Sequence, residues 1–119
     1  MKIAFATKDN ITVNDHFGWC RTFAVYNVDR ENFKFIEFRN VHEGRDEMDK
    51  IDKRIEAIKD CTILYCSEIG ATAAARVVRS RIHPMKSSGA ESIEEILNKL
   101  ITVLKKPPIW LRKVLQREE

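Results

Sequence analysis

The hydrophobic period of this chain changes near residue 45, and that change constrains its fold more than any other feature. Before it lie three short strand-like runs, KIAFAT (residues 2–7), RTFAVYNV (21–28) and FKFIEF (33–38). In the second, Phe23 and Val25 face one way while Ala24, Tyr26 and Val28 face the other. Both faces are apolar, so this strand needs cover on both sides. The turn DREN (29–32) joins it to the third run. After the change, Met48, Ile51, Ile55 and Ile58 recur at helical spacing, with Asp46 placed to cap that helix. Two more strand-like pieces follow, TILYC (62–66) and IHPMK (82–86), on either side of an alanine-rich helix, GATAAARVVRSR (70–81). Ser92 and Glu95 have capping-box spacing at the head of the longest helix. Its apolar stripe is Ile93, Ile96, Leu97, Leu100, Ile101 and Leu104, and Pro107-Pro108 stops it. A short amphipathic helix over 109–116 closes the pattern.

The resulting order is β-β-β-α-β-α-β-α-α. Strands joined by short turns pair antiparallel, whereas the later strands need right-handed crossovers through helices. An α/β fold with one five-stranded mixed sheet, ordered 3-2-1-4-5 and flanked by helices, meets both demands. That is the ribonuclease-H-like topology. Pro84 fits the fifth strand at a sheet edge, where a missing donor is tolerated. The reading gives one domain over residues 1–104 and a C-terminal amphipathic helix or tail over 105–119.

Composition removes several function classes. The chain has 119 residues, is 44% hydrophobic and 33% charged, and carries a net charge of +3. It lacks an apolar run long enough to span a bilayer, and its N-terminus starts directly into a strand-like run, so a cytoplasmic location is expected and a membrane role is not. Three irregularly spaced cysteines, Cys20, Cys61 and Cys66, argue against a disulfide framework, a zinc site or a four-cysteine cluster. Residues 69–90 hold Arg76, Arg79, Arg81, Lys86 and His83 without an acid. Nucleic acid is not the expected partner, because strand-borne aromatics in a readable pattern are missing. Two-metal nuclease chemistry needs convergent carboxylates, and the first strand reads Ile3-Ala4-Phe5-Ala6.

In such a sheet, ligands favour the carboxyl ends of the parallel strands where connections diverge. The loop after strand one, the turn after strand four and residues 86–89 should meet there. The first of these contains VNDHFGWCRTF (13–23). His16 reads as a metal ligand, a general base or a turn histidine, with Asp15 placed to orient its ring. Gly18 serves the turn. Phe17 and Trp19 read as staples to the core. Cys20 and Cys66 face the mouth or pack inside. Gly70 opens the alanine-rich helix, whose first N–H groups attract anions; a tight strand-to-helix turn explains it equally. His83 reads as structural.

Together VNDHFGWCRTFAVYNVD, CSEIGATAAARVVRSRIHPMK and PPIWLRKVL resemble the NifX/NafY family of nitrogenase cofactor biosynthesis, in the same order along essentially the whole chain. The last motif resembles NifX-type members. The resemblance implies the ribonuclease-H-like fold and a carrier rather than an enzyme. Its cargo would be an iron–sulfur precursor of the iron–molybdenum cofactor, bound transiently. Its partners would be the precursor synthase and scaffold of cofactor assembly. The histidine of the family's H-F-G motif falls on His16, the expected metal ligand. Gly18, Cys20, Cys66, Gly70 and Arg76 complete the expected cofactor-binding set. Where the family's helix start usually reads I-G-G-P-A-A-A-R, this chain has IGATAAAR over 69–76. A cluster is anionic and its exposed metal atoms accept imidazole or thiolate, so few protein ligands suit handover. The competing expectation is an adaptor that docks on assembly proteins without any cluster.

Overall fold

The computed structural model describes residues 1–88 and 90–116. Gly89, expected beside the site, and residues 117–119 of the expected tail lie outside the described residues. The elements are β1 (Lys2–Ala6), β2 (Thr22–Val28), β3 (Phe33–Asn40), α1 (Glu47–Ala57), β4 (Ile63–Cys66), α2 (Ala71–Arg79), β5 (His83–Lys86), α3 (Ile93–Leu104) and α4 (Ile109–Gln116). The sheet order is β3-β2-β1-β4-β5, as the connection rules require. β1 pairs antiparallel with β2 and parallel with β4, and β4 is parallel to β5. Pro84 sits in an edge strand.

Side-chain alternation along the central strands builds two cores. Ala4, Ala6, Phe23, Val25, Leu64 and Cys66 face α1 and α2 and meet Ile51, Ile58, Ala73 and Val77. Ile3, Phe5, Ala24, Val28 and Ile63 face the other way and meet α3 and α4. The small alanines of β1 thus lie toward the helices that carry the candidate site, and its bulkier residues lie toward α3. Each fully buried Leu or Ile contributes roughly 1.5–3 kcal/mol. α4 is tied into the second core by Leu111 and Val114, both buried.

Caps fix the helix ends. The Asp46 carboxylate accepts the Asp49 N–H at 2.9 Å, and Ser92 Oγ accepts the Glu95 N–H at 3.0 Å. At the end of α2, the Ile82 N–H donates to Val77 O and the Arg81 N–H to Val78 O. This is a Schellman closure, with Arg81 at φ 65° in the position that glycine favours. β3 runs two residues past the expected FKFIEF, and the β2–β3 register shifts at Val25/Tyr26. As an edge strand it leaves Phe35, Ile36 and Phe38 exposed. Among the described residues no helix is long and apolar enough to cross a membrane.

Candidate functional site

Two loops meet beyond the carboxyl ends of β1 and β4. The loop from β1 is shaped first by Asp9, whose carboxylate accepts the N–H groups of Thr12 and Ile11. Those bonds hold its pKa down to about 2. Farther on, the loop adds a short parallel bridge to the end of β4. Ser67 N–H donates to Asp15 O at 3.0 Å, and Phe17 N–H donates to Glu68 O at 2.9 Å. A single turn follows, in which the Trp19 and Cys20 N–H groups both donate to His16 O. Phe17 is fully buried and anchors this turn.

His16 is half-buried and lines a cleft of about 350 Å³ with Gly18, Met48, Ile51, Gly70 and Ala71 among its walls. Its Nδ1 accepts the Gly18 N–H at 3.1 Å. The neutral ring therefore carries its proton on Nε2. The Asp15 carboxylate accepts the backbone N–H of His16 at 2.9 Å instead of holding the ring. The expected orienting role passes from Asp15 to the Gly18 amide. Trp19 was expected to staple the loop; it is 74% exposed and stacks on the imidazole with centroids 4.6 Å apart.

Across the cleft stands the first turn of α2. Gly70 is its N-cap, so no side chain caps it, and its first turn holds no acid. A Cβ at Gly70 would meet nothing within 4 Å, and φ is −71°. Backbone conformation thus does not require glycine here. What glycine leaves is open space above N–H groups that lack helical partners. At Gly18 a Cβ would make ordinary contact with the imidazole, at 3.5 Å.

Three other expected residues are not brought to this cleft. Cys20 is fully buried in the α1/α2 core, its thiol donating to Phe17 O at 3.3 Å. Cys66 is also fully buried. Burial pushes both thiols up to about 12, so neither is a thiolate near neutrality. Arg76 pairs with Asp52 and ties α2 to α1. The third expected loop does arrive: Lys86 pairs with Glu68 at 3.0 Å, and Ser87 N–H donates to Cys66 O.

Sequence reasoning missed the α1 wall. Met48 was read only as part of a packing stripe, yet it is 38% exposed and offers a soft thioether to the His16 cleft. The first turn of α1 also adds Glu47. Among the described residues, no group of three or more His, Cys, Asp or Glu side chains could hold a metal ion. The cleft offers one imidazole, one thioether and a positive helix end.

A family described as dinitrogenase iron-molybdenum cofactor matches residues 1–103. The protein NifX of Herbaspirillum seropedicae is 46% identical over 98% of this chain and 83% of its own. NifX of Sinorhizobium fredii is 39% identical, covering 97% and 78% respectively. Among solved structures, the crystal structure of PH0822 superposes with a TM-score of 0.67 at 22% identity, over 86% of this chain and 91% of that one.

Proposed function

Because this chain belongs to the dinitrogenase iron-molybdenum cofactor family, with NifX proteins among its relatives, we propose that it works in iron–molybdenum cofactor biosynthesis, carrying an iron–sulfur precursor in the His16 cleft. The observation that carries this reading is the placement of one imidazole against an uncapped helix start that Gly70 leaves open. An anionic cluster gains from the positive end of α2, while a single imidazole gives an exposed metal atom one protein ligand. Met48 is a second, softer donor. Buried Cys20 and Cys66 stay out of the ligand set, which keeps the hold weak enough for transfer. The protein acts here as a carrier between the synthase and the scaffold of assembly, and the chemistry belongs to those partners.

Loading has a local cost. A neutral imidazole that ligates through Nε2 must move its proton to Nδ1, which ends the bond accepted from Gly18. Ligation through Nδ1 displaces the same N–H directly. Either route frees the Gly18 amide. The test is anaerobic loading of apoprotein with isolated precursor cluster, followed by gel filtration and absorption spectroscopy, with the Gly18 amide followed by NMR. Wild type should retain the cluster and His16→Ala should not. Equal retention by both would remove His16 from the site.

One observation favours the adaptor reading. Edge strand β3 leaves Phe35, Ile36 and Phe38 exposed, with the rings of Phe35 and Phe38 in contact, centroids 4.8 Å apart, and none of the three lines the cleft. Tight pull-down of assembly proteins by colourless apoprotein, lost on Phe38→Ser and unchanged in His16→Ala, would support it.

A further inference from the structure

Arg54 is the anomaly of helix α1. The run 45–60 mixes both signs of charge, a pattern that suggests a solvated, salt-bridged helix face, yet Arg54 within it is only 4% exposed. Its Nη1 donates to Lys50 O at 3.0 Å, and its Nε is buried without a hydrogen-bond partner. It forms no ion pair with a described carboxylate. The neighbouring Cys20 thiol, pushed up to about 12 by burial, is neutral and does not offset the charge. A buried, uncompensated guanidinium is costly, and proteins seldom hold one without a use.

Arg54 lines a cleft of about 380 Å³, between residues 18–21, the segment 43–46 and α1. The other cations on its walls are Arg21, Arg45 and Lys50; the carboxylates are Glu43 and Asp46. Glu43 is engaged by Arg21 at the exposed rim, at 2.9 Å. Asp46 is engaged as the α1 cap. Arg45 reaches out to Asp49. Arg54 and Lys50 are left to face the cleft without a carboxylate. The wall is firmly set, because a Cβ at Gly44 would lie 2.5 Å from the Lys50 backbone nitrogen. Only glycine lets the 43–46 segment close this tightly on α1.

We infer that Arg54 and Lys50 form a binding site for a small oxyanion, a carboxylate or a phosphate, in this cleft. The guanidinium fork matches either anion with two parallel donors, and the ammonium adds a point charge. The site meets the His16 cleft at Gly18, which lines both. It does not depend on the cluster reading, and apoprotein is enough to test it.

The experiment is a titration of isotope-labelled apoprotein with inorganic phosphate and, separately, with succinate, followed by NMR at ionic strength matched with chloride. At least one anion should give saturable shifts at the Gly18, Gly44 and Lys50 amides and at Arg54 Nε–H, with a dissociation constant on the order of 1 mM. Tighter phosphate binding would assign the site to phosphate-bearing ligands, and tighter succinate binding to carboxylates. Arg54→Gln and Lys50→Gln should each weaken binding about tenfold. Lys50 is only half-buried, so its variant stays informative if Arg54→Gln does not fold. Shifts no different from those with chloride, shifts centred on Arg21 and Arg45, or binding untouched by Lys50→Gln would overturn the inference.

Discussion

His16 and His83 each stack on a tryptophan, and the two pairs are almost superimposable as ring geometry. His16–Trp19 has centroids 4.6 Å apart and planes at 20°; His83–Trp110 has 4.6 Å and 17°. Their settings differ. The first pair stands on a loop turn, its indole largely in solvent, at the end of the parallel strands and opposite a helix start. The second joins edge strand β5 to α4, and Trp110 is half-buried beside the α3 core. The same contact presents a candidate ligand at a cleft in one place and docks a helix in the other. Residue type and ring stacking therefore do not distinguish a candidate site from a packing contact; location relative to the strand ends is what sets the two pairs apart.

The contrast can be broken at several points. The largest effect concerns thiols near the first pair. With Cys20 and Cys66 pushed from 9.0 up to about 12, native protein near pH 8 should be alkylated by iodoacetamide on the order of 10³-fold more slowly than an ordinary thiol. Mass spectrometry after timed quenching checks this. The same shift sets an alkaline limit. Unfolded thiols ionise near pH 9 while folded ones resist, so stability is full below about pH 9 and is lost as pH rises toward 12. Urea midpoints across that range should fall.

Next is the exchange of histidines. His16→Ala should reduce cluster retention by about a hundredfold or more, since it removes the proposed metal ligand; His83→Ala should leave retention unchanged. The tryptophans invert the order. Trp110→Ala should destabilise by about 2 kcal/mol through loss of partly buried packing, and Trp19→Ala by no more than about 0.5 kcal/mol. Denaturant titration measures both. The smallest effect lies away from either pair: Arg81→Gly should stabilise by about 1 kcal/mol, because it relieves the left-handed residue at the end of α2.

The fold was legible because period and connection rules agree. The two-sided pattern of Phe23, Val25, Ala24 and Val28 reports a central strand, and two later strands that need crossovers leave little choice of order. The caps Asp46 and Ser92 were readable for the same local reason. That His16 and Gly70 share one cleft was legible from their places at strand ends; the contacts around that candidate site were less so. Cys20 is four residues from His16, and one turn of backbone carries it into the core. Phe17 and Trp19 are alike in composition, but only the former turns inward. Arg54 carried a signal of its own. It lies three residues after Ile51 and four before Ile58, on the buried face of α1. A mixed-charge stretch read by composition hides one charge that the helical period places inside. Met48 was visible for what it packs with and not for the cleft it borders, because α1 reaches the site only through tertiary packing.

For the proposed carrier, the short bridge that joins residues 15–17 to residues 67–68 would have a kinetic consequence. Its backbone bonds already hold His16 in position in the apoprotein, so an arriving cargo does not have to fold a loop around itself. Under that proposal, capture depends on encounter and departure on one bond to one ring, with the Gly18 amide ready to reclaim Nδ1 when the cargo leaves. A holder constructed in this way exchanges its load at the pace of ligand substitution and keeps the same shape between transfers.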